Sequence, residues 1–483
     1  MQRTTGHFFN HLKVFAIFAG LSVLLRLFSF FPTVINHDES TYIVIADALL
    51  RGHVYWVDYI DTKPIGIFLV YALLKVLFGG SIFVYRLVTA LWLATTAFLL
   101  YRVKLRFGSQ RPAGVAAGVI YLFLNSIFTF YGVSPNTETF FGLFTVAALF
   151  LLLQPSQLIV HSFLAGLLLG AGFLLKYVVA FDALAFGLLL IWPLFALPEK
   201  RLPVFFRASS LVAGFAIPIL MVFGYYSAIG HEDTFLFYTF EVSSRYPVSA
   251  TAKDYFTYLL DFFGRFLPVT FFFFYALLHK GTHQTTKYFG LLWSALVLTV
   301  VLLPGKFFGH YFIQFMLPFC FVAGEFFALP RKALPKWLRW LFQPPVGFTL
   351  LGLLLLVNLF LQKKDYFDKP DYPKTVAAYL KPKLKPADQI YTGNDAQIIY
   401  HLLERQSPIR YIHPSLFWEE KHIKALDIDR SREIRSLKAI APRFIMVRDS
   451  LPISDGAIDL YLQEHYQLDK RFGERVFIYQ KVE

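Results

Sequence analysis

Charge is scarce in this chain: 16% of its 483 residues are Asp, Glu, Lys or Arg, where an ordinary soluble protein carries about 25%. That shortage excludes a soluble enzyme. Cysteine is scarcer still, with Cys320 alone inside an apolar run, which excludes an internal disulfide and any zinc or iron–sulfur site resting on thiolates. The histidines lack metalloprotease spacing, and no Gly-Xaa-Ser-Xaa-Gly nucleophile turn, Gly-rich phosphate loop or dinucleotide fingerprint occurs, so hydrolase and nucleotide-binding templates fail. Internal repeats are absent too, which counts against transporters built from mirrored bundles.

Apolar bulk takes the place of charge: 56% of residues are hydrophobic and 56 of them are phenylalanine. Runs long enough to cross about 30 Å of hydrocarbon recur to about residue 361 and then stop, the pattern of a polytopic α-helical membrane protein. The first run, Leu12 to Pro32, is too long for the core of a cleaved signal peptide and lacks a cleavage site, so it is expected to be a retained anchor. Eleven spans are predicted near 12–32, 82–103, 112–131, 139–154, 157–175, 177–197, 205–228, 257–278, 287–304, 310–329 and 341–361. The apolar stretch Lys63 to Gly80 is shorter and carries Lys75. It is assigned to the membrane interface because the loop charges then sort cleanly.

With that choice one set of alternating loops receives Arg3 and Lys13, Arg102, Lys104, Arg106 and Arg111, Lys200, Arg201 and Arg207, Lys280 and Lys287, and Arg331, Lys332, Lys336 and Arg339, with Glu199 its one acid. The other set holds Asp38, Glu39, Asp47, Asp58, Asp61, Glu138, Glu232, Asp233, Glu241 and Asp254. The basic set is expected inside, which places the N-terminus in the cytoplasm and the C-terminal segment outside a cell membrane. The net charge of +14 therefore belongs mostly to topology and gives no sign of nucleic-acid binding. Two domains are predicted: residues 1–361, with outer loops 33–81 and 229–256, and an extracytoplasmic small α/β domain over 362–483. In the latter, 389–391, 409–412, 444–447 and 475–479 read as extended and 396–404 as helical, after a linker, 369–386, with four prolines and five lysines.

The first outer loop opens with His37-Asp38-Glu39-Ser40-Thr41-Tyr42. Two adjacent carboxylates at a membrane surface are costly unless solvated or used. One reading makes Asp38 or Ser40 the cap of a helix carrying Tyr42, Ala46 and Leu49. The other makes an ionised carboxylate the proton acceptor for a hydroxyl, or a metal ligand. Farther on, Asp58, Asp61, Lys63 and Pro64 form a turn that presents a lysine at the membrane boundary, where it either snorkels or neutralises a lipid phosphate. Arg86 faces a similar choice. Glu138 is the lone acid of a short outer junction, and Lys176 stands between two apolar runs. Lys306, His310 and Tyr311 open the tenth span. Glu241 and Arg245 lie in the loop 229–256, which is long enough for a lid.

Taken together, residues 37–42, Ala46 to Gly52, Asp61, Lys63, Pro64, Phe78-Gly79 and Tyr85-Arg86-Leu87 resemble the first outer loop of the polyprenyl-phosphate-sugar-dependent membrane glycosyltransferases. These have the GT-C type fold shared by protein O-mannosyltransferases and the lipid A aminoarabinose transferase. Leu169 to Tyr177 is similar to the family's Gly-rich helix ending in lysine, and His310, Tyr311 and Pro318 to its late helix entry. Two departures stand out: Ile65 replaces a second proline after Lys63, and His310 stands where relatives often carry arginine.

The resemblance implies transfer of a sugar, usually with inversion, from an undecaprenyl- or similar polyprenyl-phosphate donor to a hydroxyl or phosphate of a lipid, glycan or protein acceptor at the outer face. In that reading Asp38 is the general base, with Glu39 or Glu138 orienting the acceptor. Lys63, assisted by Arg86, Lys306, His310 or Tyr311, stabilises the departing phosphate, and Tyr42, Asp61, Glu138, Lys176, Glu241 and Arg245 are candidates for substrate contact. If a divalent cation (Mg, Mn or Zn) is used, Asp38, Glu39 and Glu138 are its candidate ligands. The rival reading is a transporter or flippase of lipid-linked sugars, which requires a path of paired charges near the bilayer midplane. Asp182 and Glu325, with Asp261, are the acids within helices, and they suggest no such chain. A structural or assembly protein would tolerate substitution of the acids and lysine silently.

Overall fold

The structure, a computed structural model, describes residues 2–127, 132–192, 201–246, 250–330, 332, 334, 336, 338, 339, 343–393, 396–448 and 457–482. The expected span ends at 128–131, 193–197 and 341–342, and the loop charges Glu199, Lys200 and Arg331, lie outside the described residues. In chain order the first helices are α1 (Gln2–Leu25), α2 (His37–Leu50), α3 (Gly66–Phe78), α4 (Ile82–Arg106), α5 (Arg111–Leu124), α6 (Thr137–Leu152), α7 (Ile159–Leu175), α8 (Val179–Ile191) and α9 (Arg201–Ala228). Later helices are named by their residues. The chain divides into two compact units: a helical one made of Met1–Phe30, Phe83–Val222 and Val248–Phe367, and a mixed one made of Phe31–Ile82, Phe223–Pro247 and Asp368–Glu483.

Each expected span in the helical unit falls on an apolar helix, but length and composition alone pick out five among the described residues. These are Ile82–Arg106, Arg201–Ala228, Gln284–Leu302, Gly309–Ala328 and Pro345–Lys383. The span predicted over 257–278 is instead two helices, Ala252–Arg265 and Leu267–Leu278, bent by 96°. Pro268 explains the break, since its ring has no N–H to give and collides with the carbonyl four residues back if the first helix continues. The first of the pair is amphipathic, burying Tyr258 and Phe262 while Phe256 and Leu260 are exposed, as a helix lying in an interface requires.

Small residues let helices of this unit approach closely. A Cβ on Gly166 of α7 would run into the Leu211 carbonyl of α9, and one on Gly214 into the Phe163 carbonyl. The buried acids are satisfied locally. Asp182 accepts from Trp293 Nε1 at 2.6 Å and Gln314 Nε2 at 2.7 Å, while Glu325 accepts from Lys104 and Ser109. Lys104, counted above with the loop charges, is in fact fully buried in α4, because its ion pair removes the cost of leaving an ammonium unpaired there. Asp261 pairs with Arg265 one turn away at 2.7 Å.

The mixed unit holds a four-stranded sheet of β1 (Ile390–Thr392), β2 (Phe444–Arg448), β3 (Tyr466–Phe472) and β4 (Val476–Lys481) in the order β1-β2-β4-β3. β1 and β2 run parallel and the other neighbours antiparallel. The extended segments expected at 389–391, 444–447 and 475–479 are β1, β2 and β4. β3 was missed because its burial pattern is mostly exposed, so it lacks the apolar alternation that marks a strand. The segment 409–412 makes a single parallel bridge, Tyr411 to Ile60. Ile60, Val242, Tyr411, Phe417 and Trp418 share one core with β1 and β2, so residues 31–82, 223–247 and the C-terminal segment fold as one body rather than as loops and a separate tail.

Candidate active site

The cap of α2 is Asn36, whose side-chain oxygen accepts from the Asp38 backbone N–H at 2.7 Å. Neither Asp38 nor Ser40 caps the helix, contrary to the first reading of this loop. An amide at the cap position satisfies the orphan donor without using a charge, so the Asp38 carboxylate is left for other partners. One of these is Lys63, whose Nζ donates to Asp38 Oδ1 at 2.9 Å. Both side chains are partly accessible, 15% for Asp38 and 20% for Lys63. Glu39, at 1%, is buried, which separates the roles available to these adjacent acids.

The turn carrying Lys63 is fixed from both sides. Asp61 Oδ1 accepts from the Lys63 backbone N–H at 3.1 Å and from Thr62 Oγ1 at 3.3 Å, the local bonding that makes Asp a turn residue. Two aromatic donors hold its backbone: Tyr55 Oη reaches Asp61 O at 3.0 Å and Lys63 O at 2.5 Å, and Trp56 Nε1 reaches Asp61 O at 3.2 Å. Asp61 is itself buried, at 1% exposure, so it shapes the turn instead of offering an open contact. Tyr42 is likewise buried, against Phe68 and Tyr71. Its ring lies 5.8 Å from Lys63 Nζ, within range of a cation–π attraction.

A third polar group was missed in the sequence. His413, from the C-terminal segment, places Nε2 3.6 Å from Asp38 Oδ1. Glu241 and Arg245 form an exposed pair along one helical turn, 3.1 Å apart. The stretch around them is largely helical and anchored, with Phe235 and Val242 buried and Tyr238 stacked on Trp56 at 5.4 Å, rather than an open strap over a site. Residues 247–249 of that expected lid lie outside the described residues.

The remaining candidates belong to the helical unit. Glu138, in the first turn of α6, pairs with Lys176, which ends α7. Lys176 Nζ lies 4.1 Å over the Tyr311 ring, and His310 packs edge-on against Tyr311 at 4.8 Å. Lys306 is half-buried in the connection before Gly309. Arg86 is fully buried and donates to the Ser29 carbonyl at 2.7 Å, a backbone role that the sequence did not signal. Arg26, not singled out before, is also buried and donates to Asn125 O, Gly132 O and Val133 O, bracing the junction that leads to Glu138.

Among the described residues no three His, Cys, Asp or Glu side chains are grouped to hold a metal ion. Asp38 faces two nitrogen groups, Lys63 and His413.

The family model described as dolichyl-phosphate-mannose-protein mannosyltransferase matches residues 62–202, a range that includes Lys63, Arg86, Glu138 and Lys176. No curated protein sequence matches the chain significantly. Among solved structures, ArnT from Cupriavidus metallidurans bound to undecaprenyl phosphate is similar with a TM-score of 0.65 at 13% identity, over 99% of this chain and 98% of that one. The same protein in the apo state gives 0.63 at 13% identity over the same shares. The family match over residues 62–202 and the similarity of fold over nearly the whole chain agree with the resemblance expected from the sequence, and the chain is a multi-pass α-helical membrane protein with a fold similar to that of ArnT.

Proposed function

We propose that this protein is a membrane glycosyltransferase that moves a sugar from a polyprenyl-phosphate donor, of the undecaprenyl or a similar type, to an acceptor hydroxyl or phosphate on the extracytoplasmic face of the cell membrane. The Asp38–Lys63 pair, 2.9 Å apart and partly open at the start of α2, is the observation that carries the reading. One carboxylate and one ammonium on a braced turn supply the two things the displacement needs. Asp38 takes the acceptor's proton as its oxygen attacks the anomeric carbon. The bond from that carbon to the phosphate oxygen breaks, its electron pair stays on the phosphate, and Lys63 stabilises the charge that develops there.

The pair also links the two roles. While Lys63 sits on Asp38, it holds the carboxylate's electron density and weakens it as a base. A donor phosphate that draws Lys63 away returns basicity to Asp38 at the moment the donor is bound. Attack from the face opposite the departing phosphate makes inversion the expected outcome. The acceptor, whether lipid, glycan or protein, and the hexose or pentose transferred are set by groups beyond this pair. Lys176 with Glu138, backed by Tyr311 and His310, is a second candidate for contact with an anionic substrate group. No step of this scheme runs through a metal ion.

The test uses purified protein in nanodiscs with a panel of radiolabelled polyprenyl-phosphate sugars, with and without chelator. Wild type should consume one donor, and Asp38→Asn should lose roughly 100- to 10,000-fold in turnover while keeping its unfolding temperature. Normal turnover in Asp38→Asn would sink the assignment of the base. Tight binding of these lipids by wild type, with no consumption alongside any acceptor, would favour transport.

A further inference from the structure

We propose that His413 is a positioning residue for Asp38, so that the C-terminal segment contributes a group to the acceptor-activating site; this rests on the reading of Asp38 as general base. The backbone sets up the meeting. Ile60 N–H donates to Arg410 O at 2.8 Å, and Ile60 and Tyr411 form a parallel bridge. Both are buried in one core. Because the two segments run in the same direction, the residues just after the bridge leave it together: Asp61 to Lys63 on one side and His413 on the other. The short helix Pro414–Trp418 begins directly after it.

The ring's own contacts assign its proton. His413 Nδ1 accepts from the Ser415 backbone N–H at 3.3 Å and lies 2.8 Å from Ser415 Oγ. A backbone N–H can only donate, so Nδ1 carries the lone pair and a neutral ring has its hydrogen on Nε2. That is the atom turned toward Asp38 Oδ1, 3.6 Å away. The separation exceeds a hydrogen bond, and Lys63 holds the same oxygen at 2.9 Å. A hand-over follows from this arrangement. When Lys63 leaves for the donor phosphate, a small side-chain rotation brings Asp38 within hydrogen-bond reach of His413 Nε2–H. The carboxylate then stays ionised and oriented, and the acceptor's proton goes to Asp38 while His413 keeps its own. The titratable groups around this contact include Asp38 with its neighbours His37 and Glu39 on α2, Asp61 and Lys63 on the turn, and His413 itself.

The experiment compares wild type, His413→Ala and His413→Gln as full-length proteins in nanodiscs, using the radiolabelled polyprenyl-phosphate sugar that wild type consumes. Loss of the N–H should lower kcat roughly 10- to 100-fold with KM for the donor changed less than about twofold. It should also move the acid limb of kcat to higher pH, because a carboxylate without that donor holds its proton more tightly. The Gln variant, whose amide N–H can replace the imidazole's, should recover most of kcat. Unchanged kcat and an unmoved acid limb in His413→Ala overturn the proposal, as does a loss of kcat that only tracks a fall in unfolding temperature. A second readout needs no turnover: in protein labelled with 15N-histidine, the His413 ring signal, assigned by its loss in His413→Gln, should shift in Asp38→Asn. An unshifted signal overturns the contact. Inactive wild type with a shifted signal sinks the glycosyl-transfer reading while upholding the pairing of His413 with Asp38.

Discussion

His401 and Asp47 meet with Nδ1 2.7 Å from Oδ2, and the opposite ring nitrogen, Nε2, lies 2.9 Å from the Gly80 carbonyl. Lys75 Nζ takes the other Asp47 oxygen at 2.6 Å. The contact ties α2, α3 and the C-terminal helix Ile398–Leu402 together inside the mixed unit. Burial alone would raise the Asp47 carboxyl's pKa, but the hydrogen bonds and charges of His401 and Lys75 outweigh it, and the net effect lies below the ordinary value of 3.8.

A depressed carboxyl contributes stability that is present above its unfolded pKa and lost as pH falls through its folded one. Asp47→Asn should therefore unfold more easily than wild type near neutral pH, by about 2–3 kcal/mol. That is somewhat less than the loss of a fully buried pair, because Lys75 is about one-third exposed. Below pH 3.8 the difference should shrink, since wild type loses there what the variant never had. Thermal unfolding of both proteins from pH 7 to pH 3 reads this directly, and a gap that does not narrow with acidification would refute the assignment.

The fold class was legible because long apolar runs and loop charges obey constraints that act locally. Asp38 and Lys63, which the structure pairs, were each singled out for a related reason: charges beside lipid demand an explanation wherever they occur. What escaped was anything set by distant partners. Asn36 is an ordinary polar residue until the geometry shows it capping α2 in place of Asp38. His413 follows a segment that reads as an ordinary extended stretch, 409–412, and the Ile60–Tyr411 bridge brings it to Asp38. Lys104 counted as a loop charge because Glu325, its partner, is remote in sequence. Tyr42 and Asp61 were named as candidates for substrate contact, and their burial follows from the packing of α2 against α3 and the turn before it.

Glu138 and Lys176 provide a separate test of whether a charged pair in the helical unit is structural or functional. Glu138 is nearly fully buried and Lys176 mostly so, and removing one partner of such a pair typically costs about 3–5 kcal/mol. Glu138→Gln and Lys176→Met should each lower the unfolding temperature, and the double variant should recover much of the loss. Turnover is expected to stay low in the double variant if Lys176 contacts an anionic substrate group. Recovery of both stability and turnover would assign the pair to the scaffold and leave Lys63 as the phosphate-facing cation.

Trp56 ties the aromatic core of the mixed unit to the placement of Lys63. It has a positive φ of 63°, a conformation bulky residues seldom adopt, and it is 2% exposed. Its ring stacks on Tyr238 at 5.4 Å with 8° between planes, and its Nε1 donates to Asp61 O at 3.2 Å. Trp56→Phe keeps most of the packing but removes one of the two donors to the Asp61 carbonyl, leaving Tyr55 Oη, at a cost of about 1 kcal/mol. The larger effect should fall on turnover, because a loosened turn displaces the Lys63 ammonium and a shift of about 1 Å at a reacting group can cost on the order of 100-fold. Trp56→Ala should instead cost about 3–5 kcal/mol through lost packing. Comparing kcat with unfolding temperature across the two variants separates these effects: if Trp56→Phe loses stability and activity only in proportion, the hydrogen bond to Asp61 does not position Lys63.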